Sequence, residues 1–151
     1  MIDVAVIGAG SAGLVAARHL ISAGLRPVLF DAAKTIGGAW TPPSAVHTSY
    51  EKRQSQHDDE YHHPASKMWS GMRTNLSKYT CQYTDFPWPE EASTFPTGEE
   101  IHDYLQSYSD TFLQEDPSSC EFLMQCRVTN VSCCNAVSLS TDNEEANYKV
   151  E

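Results

Sequence analysis

The sequence predicts an α/β fold built on a parallel sheet, and three observations carry that prediction. A short apolar run ends in a glycine-rich turn at Gly8, a helix pattern of small and aliphatic residues follows, and a second apolar run closes on Asp31. A strand, a helix and a strand within about 30 residues make a βαβ unit, whose crossover is right-handed almost without exception. The chain has 151 residues, which fits one domain by a prior of roughly 100 to 200 residues per domain.

Ile2, Val4, Ala5, Val6 and Ile7 are nearly continuous apolar residues, the pattern of a parallel strand buried on both faces. From Ser11 to Ala23 the apolar positions suit a helix, and Gly24 is placed to end it in a left-handed cap. Residues 26–31 (RPVLFD) read as the second strand. Residues 41–70 turn polar and irregular, with Pro42-Pro43, a charged stretch over 51–60 and His62-His63-Pro64, and are expected to be a flexible loop or insertion. Thr97-Gly98-Glu99-Glu100 has the form of a capping box, and Ile101, Tyr104, Leu105, Tyr108 and Phe112 continue it as one apolar stripe of a helix ending near Phe112. Beyond Cys120, β-prone pieces at 122–131, 136–140 and 148–150 suggest a small antiparallel meander.

The bulk numbers exclude several function classes. Twenty acidic residues against ten basic ones leave a net charge of −10, which repels phosphate backbones and anionic lipid, so no nucleic-acid partner is expected. No apolar run approaches the roughly 18 residues of a membrane span. Met1, Ile2 and Asp3 lead straight into the first strand without a leader pattern, so the expected location is cytoplasmic. The five cysteines are odd in number, lack CxxC spacing and read as reduced thiols. The two Asn-x-Ser triplets at 75–77 and 130–132 read as chance matches to the glycosylation pattern.

The chemistry-bearing motif is Gly8-Ala9-Gly10-Ser11-Ala12-Gly13. Gly8 permits the tight turn out of the strand, Gly10 lets backbone approach a pyrophosphate, and Gly13 lets the helix pack closely on the sheet. The unpaired amides around Ser11 and Ala12 and the positive end of the helix dipole then face a diphosphate without any lysine. Asp31 stands 18 residues after Gly13, where a carboxylate accepts ribose hydroxyls and repels a 2′-phosphate. An adenine dinucleotide other than NADP is the expected ligand of this turn, and the fingerprint alone does not separate NAD from FAD. Ile36-Gly37-Gly38-Ala39-Trp40 adds a glycine pair where bare backbone again meets a cofactor extending past its pyrophosphate; a plain turn before a surface tryptophan is the alternative.

GAGSAGL at 8–14, Asp31, IGGAW at 36–40, RTNLSK at 73–78, DFPWP at 85–89 and FPTGEEIHDYL at 95–105 occur in one order. That order resembles flavin-containing monooxygenases and the related Baeyer-Villiger enzymes over nearly the whole chain, with residues 44–66 longer and more polar than the family's usual connection. The resemblance implies a Rossmann-like FAD-binding domain over residues 1–151, partial relative to the family. It implies FAD as cofactor, with Gly37, Gly38 and Trp40 along its ribityl and flavin portion. Thr74 and Asn75 would lie near the flavin, Asn75 lining its face near the site of oxygen activation; from local sequence Asn75 also reads as a turn residue. In such enzymes NADPH reduces the flavin and one oxygen atom passes to nitrogen, sulfur or a ketone of a small-molecule substrate. No second GxGxxG for NADPH and no FxGxxxH signature occur, so a partner or a further C-terminal region is expected to complete the fold. Two alternatives stand beside this reading: a catalytically inactive dinucleotide-binding remnant or interaction module, and another two-dinucleotide flavoprotein such as a disulfide reductase or amine oxidase. The reductase lacks support because no CxxxxC precedes Cys81.

Other constellations suggest less. His57, Asp58, Asp59, Glu60, His62 and His63 offer metal-ligand types in a run without fixed geometry, so no metal is expected. His19 and His102 read as surface or packing residues, and Trp69, Tyr83, Phe86 and Trp88 as core or wall.

Overall fold

A computed structural model describes residues 2–42, 68–69, 71–116, 118–133 and 148–150. Strand β1 (Asp3–Ile7), helix α1 (Ser11–Ser22) and strand β2 (Arg26–Asp31) form the anticipated βαβ unit, followed by a 3-10 turn at Gly38–Trp40. Helix α2 (Gly98–Phe112) and strands β3 (Glu121–Met124), β4 (Val131–Cys133) and β5 (Tyr148–Val150) complete the elements. The expected loop over 41–70 falls almost wholly outside the described residues. No helix among the described residues is long and apolar enough to cross a membrane.

The sheet order is β1-β2-β3, all parallel, with Ala5 opposite Val28 and Leu29 opposite Phe122. Alternation across the strands turns Val6, Leu29, Phe122 and Met124 toward the core. The expectation that β1 is buried on both faces is corrected: Asp3, Ala5 and Ile7 are exposed, Ile7 by 59%. Among the described residues β1 is the edge of the sheet, and the side chains of Asp3, Ala5 and Ile7 share its uncovered face.

Helix α1 ends as its sequence predicts. Gly24 takes φ +77°, and the Leu25 N–H returns to the Leu20 carbonyl at 3.0 Å, closing the last turn. Helix α2 begins on a complete capping box, with the Glu100 N–H on Thr97 Oγ1 and the Thr97 N–H on Glu100 Oε2. Leu14 and Ala17 of α1, Leu29 of β2 and Ile101, Tyr104, Leu105 and Tyr108 of α2 bury into one cluster.

The meander is only partly as expected. The piece beginning at Phe122 pairs parallel with β2, because the chain returns through α2 and so enters the sheet by a crossover rather than a hairpin. It leaves after Met124 through Gln125, at φ +58°, and residues 125–130 form no strand. β4 and β5 do pair antiparallel, with Val131 opposite Val150; residues 136–140 lie outside the described residues.

An aromatic layer packs along α2, with Tyr83 reaching α1 through the Ser11 carbonyl. Tyr83, Phe86 and Trp88 pack on the core as walls, Trp88 stacked on Tyr104 at 4.2 Å and 14°. Trp69 departs from that reading and is 65% exposed. Lys78 is buried, and its ammonium donates to the carbonyls of Pro89, Glu90 and Ala92 at 3.2, 2.8 and 2.8 Å, fixing the segment that carries Trp88.

Candidate dinucleotide site

The glycine turn joins the C-terminal end of β1 to the start of α1. Gly8 adopts φ +103°, and its N–H donates to the Phe30 carbonyl at 2.7 Å, which carries the turn across to β2. Gly13 is compulsory on steric grounds: a Cβ there would lie 1.9 Å from the Gly8 carbonyl oxygen. Helix α1 starts on Gly10 with no side-chain cap and no acidic residue in its first turn. The first amides of a helix have no partner within it, and here Ser11 and Ala12 are exposed while Gly10 and Gly13 are half-buried. The contrast with α2 is informative, since there Thr97 and Glu100 satisfy the same groups.

Asp31 points at this mouth. Its Oδ2 accepts the Ala9 N–H and its Oδ1 the Ala33 N–H, each at 2.7 Å. A carboxylate offers about four lone-pair sites, so acceptor capacity remains beside the turn.

The second glycine motif comes to the first. The Gly37 N–H donates to the Ala9 carbonyl at 2.9 Å, and a Cβ on Gly38 would stand 3.0 Å from the Gly10 Cα. Gly37 takes φ +116° and Gly38 φ +57°. Two stretches of bare backbone therefore meet edge to edge, with Gly38 exposed and Trp40 half-buried against the core.

Thr74 and Asn75 belong to another segment. It is held to the approach of α2, through the Thr74 N–H on the Pro96 carbonyl at 2.9 Å and a bridge between Arg73 and Thr97. Thr74 Oγ1 closes the local turn by accepting the Leu76 N–H at 2.9 Å, so the turn-forming part read for Asn75 belongs to its neighbour. The Asn75 side chain is exposed.

Two contacts at the site escape sequence reasoning. His102, on α2, packs on the backbone of Gly37, where a Cβ would come 2.8 Å from its Cδ2; its Nε2 is buried without a hydrogen-bond partner among the described residues. Tyr83 donates its hydroxyl to the Ser11 carbonyl at 2.8 Å, and burial pushes its phenol up to about 12, so it stays a neutral donor. Both partners lie more than 60 residues apart in the chain, and no local pattern announces such pairs. His19 is exposed. His57 to His63 lie outside the described residues, and no group of three His, Cys, Asp or Glu able to hold a metal occurs among those described. Cys81, Cys120 and Cys126 are free thiols.

Sheet, crossover and glycine turn define an α/β protein of the Rossmann-like class. The family profile FMO-like, Flavin-binding monooxygenase-like, matches residues 2–141. Flavin-containing monooxygenase FMO GS-OX-like 6 of Arabidopsis thaliana is 35% identical over 121 residues, which are 76% of this chain and 25% of that protein. FMO GS-OX-like 11 of the same plant is 34% identical over 122 residues, covering 75% of this chain and 70% of that one. The solved structure of S-allyl-L-cysteine S-oxygenase from Allium sativum superposes with a TM-score of 0.66 at 31% identity, over 87% of this chain and 29% of that one. The chain belongs to the flavin-binding monooxygenase-like family, and it spans about a quarter of the length of FMO GS-OX-like 6.

Proposed function

We propose that this chain is the FAD-binding portion, a single partial domain over residues 1–151, of a flavin monooxygenase that oxygenates a small organic substrate at nitrogen, sulfur or a ketone with NADPH as reductant. The observation that carries the reading is the uncapped mouth of α1, with Asp31 hydrogen-bonded to the turn beside it. The residues fit the cofactor: the amides of Gly10, Ser11, Ala12 and Gly13 would hold the diphosphate, and Asp31 would take the adenosine ribose. Gly37, Gly38 and Trp40 would lie along the ribityl and flavin part, since a side chain at Gly38 would fill the space that Gly10 leaves. Thr74 and Asn75 would border the flavin face from the segment tied to α2. Bound there, FAD supplies the oxygen chemistry, and the protein's part is to orient it and exclude water.

A second reading is a dinucleotide-binding module without turnover. Oxidation of NADPH by the purified chain would exclude that second reading.

The binding claim is tested by incubating the protein with FAD, removing free flavin and recording the visible spectrum. The wild type retains a flavin spectrum. Gly10→Asp sets a carboxylate against the diphosphate and loses it, while its circular dichroism stays native because a Cβ at that position makes only an ordinary 3.6 Å contact. A colourless wild type, or equal retention by the variant, overturns the proposal.

A further inference from the structure

Away from the glycine turn, a cavity of about 310 Å³ opens between the segment 86–92 and one face of α2. It shares no lining residue with the turn, the Gly37-Gly38 pair or Asn75. On the helix side, Glu100, Asp103, Tyr104 and Ser107 stand at successive positions of one face. The opposite side is Phe86-Pro87-Trp88-Pro89, and Trp88 is held as an aromatic wall by stacking on Tyr104.

Three features fix what such a cavity takes. First, among the described residues every charged one lining it is a carboxylate: Glu91, Glu100 and Asp103. Glu100 is held ionised, lowered to about 2 chiefly by the Thr97 N–H, while the side chain of Asp103 is 84% exposed. The nearby Lys78 ammonium does not neutralise the cavity from within, because it is buried and committed to the three carbonyls of residues 89, 90 and 92.

Second, the walls are fixed before any ligand arrives. Lys78 holds one side, and the Tyr104 hydroxyl donates to the Phe86 carbonyl while accepting the Tyr83 N–H. Pre-formed walls lower the cost of ordering on binding.

Third, the volume is at the small end of ligand pockets, about 300 to 1,000 Å³, and suits a fragment rather than a peptide. An anion would meet only like charge. A metal ion finds no group of three suitable ligands among the described residues. A cation with an apolar body answers both sides, its body buried against the aromatic wall and its charge met by the carboxylates.

We propose that the cavity between residues 86–92 and α2 binds a small organic cation, a protonated amine on an aryl or short alkyl body, with the body against Trp88 and Tyr104 and the ammonium among Glu91, Glu100 and Asp103. The proposal is independent of the dinucleotide reading, because no residue of the glycine turn or of the Gly37-Gly38 pair lines the cavity.

The test titrates the full chain with phenethylammonium, its neutral analogue 2-phenylethanol and its anionic analogue phenylacetate, followed by tryptophan fluorescence and calorimetry. Phenethylammonium saturates, and its Kd rises severalfold as salt increases from about 20 to about 300 mM, as screening requires. The double variant Glu91→Gln, Asp103→Asn weakens it by about fivefold to tenfold, the range expected for two exposed ion pairs. Both side chains are exposed, so the fold is not at stake. Trp88→Phe keeps an aromatic wall and abolishes the fluorescence change. Equal binding of phenylacetate or 2-phenylethanol, an affinity unmoved by the double variant, a fluorescence change that survives Trp88→Phe, or no saturation by the amine each overturns it.

Discussion

Replacing Gly13 by alanine separates close helix-to-turn packing from ordinary helix preference. In the structure a Cβ at Gly13 would sit 1.9 Å from the Gly8 carbonyl oxygen, 3.0 Å from its carbon and 3.5 Å from Val6 Cγ1. Carbon and oxygen in contact stand about 3.3 Å or more apart, so the helix or the turn must shift by more than an ångström. The turn cannot yield cheaply, since the Gly8 N–H is bonded to the Phe30 carbonyl at 2.7 Å and Ala9 is bonded on both sides, to Asp31 and Gly37. Overpacking of this kind costs about 1 to 3 kcal/mol, here at the upper end because the obstacle is backbone. Alanine recovers about 1 kcal/mol of helix propensity. The net loss is about 2 kcal/mol, and at roughly 2 to 4 °C per kcal/mol for a chain of this size the midpoint falls by about 4 to 8 °C. Thermal unfolding followed by circular dichroism measures it. Gly10→Ala is the control, because its Cβ meets Gly38 Cα at an ordinary 3.6 Å and its φ of −83° suits any residue; its midpoint stays near the wild type. A Gly13→Ala midpoint equal to or above the wild type refutes the packing account, since propensity alone would then govern the site.

Lys78→Met removes the ammonium that joins the carbonyls of Pro89, Glu90 and Ala92, and the loss is about 2 kcal/mol by the usual worth of hydrogen bonds to a charged group; a urea midpoint unchanged from wild type would show that the clamp is idle. Glu100→Gln acts through pH. The carboxyl is lowered from 4.5 to about 2 in the fold, so its stabilisation is complete above the unfolded value and is lost as pH falls through the folded one. The difference in midpoint between wild type and Glu100→Gln is therefore constant above about pH 5 and shrinks between about pH 4.5 and 2; a difference that persists undiminished at pH 2 contradicts the capping-box assignment.

The parts of the fold legible in the sequence are those whose physics is local. The spacing of Gly8, Gly10 and Gly13, the aliphatic face of α1, the cap at Gly24 and the Thr97-Glu100 box each act within a few residues, and the structure places them as read. Burial of β1 was not legible, because whether Ala5 and Ile7 are covered depends on which strand or helix lies beside them. Nor was the partner of Phe122: an apolar run of four fits a hairpin or a parallel strand equally, and only the route through α2 decides. The meeting of Gly10 with Gly38, and of Gly37 with His102, depends on the three-dimensional path and leaves no periodic trace. Trp69 shows the converse, a large apolar residue that hydrophobicity alone assigns to a wall and the fold leaves outside.

Everything proposed for the glycine turn requires that the adenosine diphosphate half of the cofactor, rather than the flavin ring, supplies the grip. Parallel titrations with FAD and with FMN, which lacks the adenosine phosphate, measure this directly. FAD binds at least about tenfold tighter, a difference of about 1.4 kcal/mol, and added ADP competes with it. Equal affinities for the two flavins, with ADP without effect, would contradict that requirement.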